Sequence, residues 1–145
     1  MDLPGPLYCD ASALVKLYLP EPESGTLNRL VAGRRDLLVS DLSITEIVSS
    51  LSRRRREGAV ETAKVSRLHR ALLGHMEAGI YRRVELVSAT HREAERMLLS
   101  VEGVALRAAD ALHLALAVSG DASSVLTYDR RLASAASAIG LNVFP

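Results

Sequence analysis

Residues 7–16 read LYCDASALVK, and this stretch decides the fold. Its apolar start predicts a short buried strand over Pro6–Cys9. Asp10 follows at once, and the apolar spacing of Ala11–Leu19 predicts a short helix that ends before Pro20. A strand that runs directly into a helix, with an acid at the junction, is typical of an α/β protein with a parallel sheet.

The rest of the chain repeats this alternation of strand and helix. We expect further strands at 36–40, 83–87, 124–127 and 141–144, and helices at about 23–32, 43–57, 60–77, 91–101, 107–119 and 129–139. Such alternation predicts one α/β domain over residues 1–145, with helices on both faces of a parallel sheet.

The composition limits the classes of partner. One Phe and no Trp make an aromatic platform for stacking bases improbable, and a net charge of +1 provides no global basic field for nucleic acid. The basic residues are sixteen Arg against only Lys16 and Lys64. An excess of Arg fits a phosphate-bearing partner, but it also fits the nucleotide composition of a genome.

The sequence also predicts a setting for the protein. Cys9 is the only cysteine, so an intrachain disulfide is impossible and a reducing environment is favoured. No secretory leader is evident, and the longest uncharged run, Leu132–Pro145, is too short to span a bilayer. We therefore expect a soluble cytoplasmic protein with no membrane contact.

Three acids follow predicted strands: Asp10, Glu46 and Asp129. Ligands of open parallel sheets bind beyond the carboxyl ends of the strands, so we expect these acids to share one edge. Each also has a simpler interpretation. Asp10 and Asp129 suit helix N-caps, and Glu46 suits the third position of a capping box that begins at Ser43, in the first turn of its helix.

Asp110 belongs to the set for another reason. It lies inside a helix that is apolar on all sides and therefore buried. A buried carboxylate is costly unless a cation or hydrogen-bond donors meet it. Its depth in the pattern argues against a capping role, and the alternatives are an ion pair with an Arg or a helix that begins later. His113, one turn on, is expected to be a hydrogen-bonded core histidine rather than a ligand.

Carboxylates that share one edge repel each other, so they need a partner. No Lys is near them in sequence and there is no His or Cys cluster, which favours a hard divalent cation, Mg²⁺ or Mn²⁺. Such a cation binds a scissile phosphate and activates a water molecule. The residues therefore predict metal-dependent cleavage of phosphodiester bonds.

The sequence resembles the PIN domain family in four blocks, which occur in the family's order: 7–16, 40–47, 106–115 and 126–133. The resemblance implies a three-layer α/β/α fold with a five-stranded parallel sheet in the order 3-2-1-4-5. It implies Mg²⁺- or Mn²⁺-dependent endoribonuclease activity that uses the carboxylates of Asp10, Glu46, Asp110 and Asp129, with hydroxyl support from Ser12 and Thr127.

The resemblance also implies partners. Free-standing chains of this size are similar to VapC-type toxins, which act on RNA, pair with a small VapB-type antitoxin and usually form homodimers. A basic block at the end of the third predicted helix is a candidate for contacting RNA phosphates: Arg53, Arg54, Arg55 and Arg56. Its simpler interpretation is favourable pairing with the helix C-terminal dipole.

Other classes fit the residues less well. A phosphoacceptor receiver domain needs a Lys after its last strand, and none follows Lys64. A phosphatase of the haloacid dehalogenase type needs an acid where Ser12 stands. The main alternative is a PIN domain with degenerate activity that acts as an RNA-binding or regulatory module.

Overall fold

Strands and helices alternate along the chain as the sequence predicts. The structure, a computed structural model, describes residues 2–145. In chain order its elements are β1 (Leu7–Cys9), α1 (Ala11–Tyr18), α2 (Ser24–Val31), β2 (Leu37–Ser40), α3 (Asp41–Arg56), α4 (Thr62–Glu77), β3 (Arg82–Val84), α5 (Ser88–Ser100), α6 (Ala108–Ser119), β4 (Ser124–Leu126), α7 (Arg130–Ala138) and β5 (Asn142–Phe144).

The five strands form one sheet in the order β3-β2-β1-β4-β5, and every pair is parallel. This confirms the predicted strand order. The middle strand, β1, pairs Leu7 with Leu37 of β2 and with Ser124 of β4. Because all strands point the same way, the residues that follow them meet at a single edge, which we call the carboxyl edge.

Helices cover both faces of the sheet, so the fold has the predicted three layers. Alternate residues of β1 point to opposite faces. Leu7 and Cys9 join a core built with α1 to α4, whereas Tyr8 joins a second core built with α5, α6 and α7. Since β1 is covered on both sides, all three of its residues are buried, as expected for a central parallel strand.

The start of α3 differs from the sequence prediction. The helix begins at Asp41, and its N-cap is Ser40, whose Oγ accepts the Ser43 amide at 3.0 Å. The predicted capping box of Ser43 and Glu46 is therefore wrong. The strand runs into the helix without a linker, so Ser43 is buried and donates to the Cys9 carbonyl at 3.0 Å. Glu46 consequently lies in the second turn rather than the first.

The start of α6 also corrects the sequence argument. The helix begins at Ala108, so Asp110 is its third residue and accepts the Arg107 amide at 3.1 Å. A helix that begins later was one of the alternatives, and the argument against a capping role was wrong.

No helix within residues 2–145 combines the length and apolar character needed to cross a membrane.

Gly120 ends α6 against the sheet, and its lack of a side chain matters there. A Cβ at this position would lie 2.8 Å from Leu38 Cδ1 and 3.2 Å from Val84 Cγ2. We expect Gly120→Ala to lower the free energy of unfolding by about 1–3 kcal/mol, because the added methyl group displaces core side chains. Urea unfolding followed by circular dichroism measures the change.

Gly74→Ala is the matched control. Gly74 lies inside α4, and a Cβ there would meet nothing within 4 Å. This change should raise the free energy of unfolding by about 0.5–1 kcal/mol, since Ala favours the helix. Equal stabilisation by both substitutions would contradict the predicted clash at Gly120.

Candidate active site

Asp10 is the most constrained acid at the carboxyl edge. It directly follows β1 and is only 4% exposed. Its Oδ1 accepts hydrogen bonds from the Ala13 amide at 3.0 Å and the Ser12 hydroxyl at 2.7 Å. Its Oδ2 accepts one from the Thr127 hydroxyl at 2.6 Å. The N-cap interpretation is confirmed, but capping occupies only one of the two oxygens.

The electrostatic setting of Asp10 disfavours its charge. Burial raises the pKa of this carboxyl, and the hydrogen bonds from Thr127, Ser12 and Ala13 offset only part of that rise. Within residues 2–145, Asp10 forms no ion pair with a Lys or Arg. A bound cation is the partner that would favour the ionised form.

Two hydroxyl groups join Asp10 to the end of β4. Thr127 Oγ1 donates to Asp10 and accepts the Asp129 amide at 3.0 Å. Ser12 Oγ donates to Asp10 and accepts the Tyr128 amide at 2.8 Å. The structure thus places Ser12 and Thr127 against Asp10, contacts that the sequence analysis did not specify, and brings Asp129 to the same edge.

Asp129 itself caps α7, as its simpler interpretation predicted. Its Oδ1 accepts the amides of Arg131 at 2.9 Å and Leu132 at 3.4 Å. Asp129 follows the last residue of β4 by three positions, and its amide donates to Thr127, the hydroxyl residue that contacts Asp10. The cap therefore also fixes this acid at the carboxyl edge.

Asp110 is almost as buried as Asp10, at 5% exposed. Its Oδ2 accepts the Arg107 amide, and no donor within residues 2–145 forms a hydrogen bond with its Oδ1. The alternative of an ion pair with an Arg is not observed in the described residues. One oxygen of this buried carboxyl therefore remains available to a cation.

Glu46 approaches the site from α3 and meets His113 of α6. Its Oε1 forms a close hydrogen bond with His113 Nε2, and His113 Nδ1 lies 2.6 Å from the Tyr8 hydroxyl. The prediction of a buried, hydrogen-bonded histidine is confirmed, but its contact with Glu46 was not predicted. The available signal was that a buried imidazole needs partners for both nitrogens and that His113 shares a helix face with Asp110.

The four acids share one edge but do not form a ready-made metal site. No group of three His, Cys, Asp or Glu side chains within residues 2–145 lies close enough to hold a metal ion. The donor chemistry nevertheless fits a hard cation, because every candidate ligand is a carboxylate oxygen and Asp10 and Asp110 lack basic partners. These two buried acids carry most of the argument for a metal site.

Comparison with known proteins identifies the family. The family model described as the PIN domain matches residues 7–138. This chain belongs to the PIN domain family. It is 33% identical to Ribonuclease VapC45 of Mycobacterium tuberculosis (strain CDC 1551 / Oshkosh) over 141 residues, which cover 96% of this chain and 94% of that protein. It is 31% identical to Ribonuclease VapC46 of M. tuberculosis strain ATCC 25618 / H37Rv over 94% of this chain and 95% of that protein.

A solved structure supports the fold independently. The crystal structure of M. tuberculosis VapC20, described as a Sarcin-Ricin loop cleaving toxin, matches with a TM-score of 0.69. The two sequences are 18% identical, and the match covers 93% of this chain and 95% of that one. At this identity the likeness shows a shared PIN fold.

A basic cleft adjoins the acidic edge of this PIN domain. It has a volume of about 270 Å³, and its lining includes three basic residues, one acid and two other polar residues: Lys16, Arg53, Arg54, Glu21, Ser12 and Tyr128. Lys16 Nζ lies 4.7 Å from the centre of the Tyr128 ring, a cation–π geometry. Because Ser12 lines the cleft and also donates to Asp10, the cleft leads to the candidate active site.

The cleft divides the predicted basic block. Arg53 and Arg54 line it, and Arg54 also pairs with Glu21 at 2.6 Å. Arg55 and Arg56 instead donate hydrogen bonds to the Ser52 hydroxyl. The structure therefore brings only half of the block to the site.

The Thr127 hydroxyl offers a test of the local electrostatics. Thr127→Val should lower the free energy of unfolding by about 1–3 kcal/mol, because it removes a donor from a buried carboxylate. Burial raises the pKa of the Asp10 carboxyl, and the hydrogen bond from Thr127 stabilises its ionised form. The loss of stability should therefore be larger above the pKa of Asp10, where the carboxyl is ionised, than below it. Denaturant unfolding across a pH series measures both effects.

Thr127→Ser is the control, because it keeps the hydroxyl and removes only a methyl group. It should retain the pH dependence of the wild-type protein. Identical pH profiles for the Val and Ser variants would exclude the proposed support of Asp10 by Thr127.

Proposed function

We propose that this PIN domain is a metal-dependent endoribonuclease and the toxin of a VapBC-type toxin–antitoxin pair, acting in the cytoplasm. The observation that carries the proposal is the pair of buried carboxylates, Asp10 and Asp110, which meet no Lys or Arg within residues 2–145. RNA is the proposed substrate because the full-length relatives are named ribonucleases.

The proposed metal ligands are the carboxylates of Asp10, Glu46, Asp110 and Asp129. A bound Mg²⁺ or Mn²⁺ would polarise the scissile phosphate and activate a water molecule for attack. Since no three of these side chains share a coordination sphere in the described residues, the proposal includes their approach to one another on binding.

The chain's own residues prepare this site. Three donors hold both oxygens of Asp10, so this carboxylate has little freedom to lose when it binds a cation. The Thr127 hydroxyl links Asp129 to Asp10, because it accepts the Asp129 amide and donates to the Asp10 carboxylate. The neighbouring cleft would bind RNA phosphates through Arg53 and Arg54, whose planar guanidinium groups match phosphate geometry.

The proposed protein partners are a VapB-type antitoxin and a second copy of the chain. An edge with several carboxylates would attract an Arg or Lys from an antitoxin, which would exclude the cation. The apolar segments Ala13–Leu19 and Ile47–Leu51 contribute little free surface for such a partner, because most of their side chains lie in the core. Leu17 and Val48 are among the partly exposed exceptions.

Removal of either buried carboxylate tests the proposed chemistry. Asp10→Asn or Asp110→Asn should reduce Mg²⁺- or Mn²⁺-dependent RNA cleavage by more than about 100-fold, because loss of a ligand removes several kcal/mol of transition-state stabilisation. Gel analysis of a labelled RNA measures cleavage, and circular dichroism verifies that each variant is folded.

Asp121→Asn is the matched control for these variants. Asp121 is exposed, has φ 56°, and precedes β4 at the opposite edge of the sheet; Asn tolerates that conformation. It should cleave RNA like the wild-type protein.

Expression of the wild-type chain, but not of Asp10→Asn, should arrest growth, and co-expressed antitoxin should rescue it. RNA binding without cleavage by the wild-type protein would instead favour the regulatory module.

The basic cleft predicts a split within the Arg block. Arg53→Ala combined with Arg54→Ala should weaken RNA binding and reduce the slope of log K against log salt by about 1 for each lost phosphate contact. The matched control replaces Arg55 and Arg56, which removes the same charge outside the cleft. Fluorescence anisotropy over a salt series measures both pairs, and equal slopes for both would rule out specific contacts by Arg53 and Arg54.

A further inference from the structure

His113 lies between the two acids that approach the site from helices. It is 5% exposed, and both of its ring nitrogens are occupied. Nε2 meets Glu46 Oε1, and Nδ1 lies 2.6 Å from the Tyr8 hydroxyl. The ring belongs to α6, one turn after Asp110, so it connects the helix of Asp110 to the helix of Glu46.

Tyr8 anchors this ring in the centre of the sheet. It is fully buried in β1, and its hydroxyl also lies 2.8 Å from Ser40 Oγ, at the end of β2. The anchor therefore joins β1, β2 and α6.

Glu46 does not require the contact with His113 to satisfy its carboxylate oxygens. Its side chain is 38% exposed, so water could satisfy both oxygens. The contact with His113 therefore restricts the conformations of the Glu46 side chain and is not needed to compensate a buried charge. A long flexible carboxylate that is held in advance loses less conformational entropy when it binds a ligand.

We propose that His113, anchored by Tyr8, is a positioning residue that holds Glu46 for cation binding, an inference that rests on the proposed function. One oxygen of Glu46 meets the imidazole, and no donor within residues 2–145 meets the other, Oε2. Outer hydrogen bonds of this kind orient metal-binding carboxylates and strengthen metal binding. His113 touches neither substrate nor cation in this assignment and acts through Glu46.

Two amide substitutions separate positioning from simple packing. Gln at position 113 places its amide near the position of Nε2 and can still meet Glu46. Asn places its amide near Nδ1, so it can meet Tyr8 but is too short for Glu46. Both replace the ring by an amide, so a purely structural role predicts similar effects of the two.

The measurement is Mn²⁺ affinity by isothermal titration calorimetry at fixed pH. His113→Asn should weaken Mn²⁺ binding by about 10-fold or more, whereas His113→Gln should stay within roughly threefold of wild type. RNA cleavage by His113→Asn should recover at high Mn²⁺, because only the affinity of the site has changed. Equal losses in both variants, or no loss in His113→Asn, would overturn the assignment.

Tyr8→Phe provides a second route if His113→Asn does not fold. It keeps the aromatic ring and removes the hydroxyl that meets Nδ1, and it should weaken Mn²⁺ binding by up to roughly threefold, the limit also expected for His113→Gln, which likewise lacks the Tyr8 contact. Tyr18→Phe is its matched control, because Tyr18 likewise places its hydroxyl 2.6 Å from a histidine nitrogen, His75 Nδ1, away from the acids. Unchanged Mn²⁺ affinity in a folded Tyr8→Phe variant would count against the anchor.

The outcomes distinguish this inference from the proposed function. Wild-type protein that binds Mn²⁺ and cleaves RNA, combined with indistinguishable Asn and Gln variants, overturns the positioning role and leaves the nuclease intact. Wild-type protein that binds no Mn²⁺ overturns both. In a Glu46→Gln background, His113→Asn should cause no further loss of affinity, and a full additional loss would show that His113 does not act through Glu46.

Discussion

Asp10 directly follows the middle strand of the sheet, and its carboxylate is almost fully buried. The residues around it offset part of the free-energy cost of burying its charge. Burial raises the pKa of Asp10 because low polarity disfavours its charge. Hydroxyls from Ser12 and Thr127 and the Ala13 amide compensate part of the cost. A bound cation would favour the ionised form of this carboxyl, which is the basis of the proposed metal chemistry.

The carboxyl edge divides into two supported halves. In one half, hydroxyl groups tie Asp10 to the end of β4 and so to Asp129. In the other half, the Tyr8 and His113 side chains tie Glu46 to the helix of Asp110. Both halves depend on β1, which contains Tyr8 and is directly followed by Asp10. The central strand therefore contributes to the positioning of all four candidate ligands.

The proposed binding of RNA phosphates in the basic cleft is compatible with a modest net charge of +1. Lys16, Arg53 and Arg54 are concentrated beside Ser12, next to the acids, rather than spread over the surface. Glu21 pairs with both Lys16 and Arg54, which limits the local positive charge and orders their side chains. A local field of this kind can align a polyanion without attracting it to the rest of the molecule.

The sequence by itself determined the alternation of elements, the strand order through its family resemblance, and the placement of Asp10 and Asp129 at strand ends. The alternation and the placement of these acids depend on apolar periodicity and caps, which act within a few residues, whereas the strand order was implied only by the resemblance. The structure was needed to show that Ser40 caps α3, that Asp110 lies in the first turn of α6, and that Arg53 and Arg54 are the members of the basic block that reach the cleft. It also decided the pairing of Glu46 with His113, 67 positions apart, and of Asp10 with Thr127, 117 positions apart. Such contacts are set by how distant segments pack, and local sequence patterns carry no information about that packing.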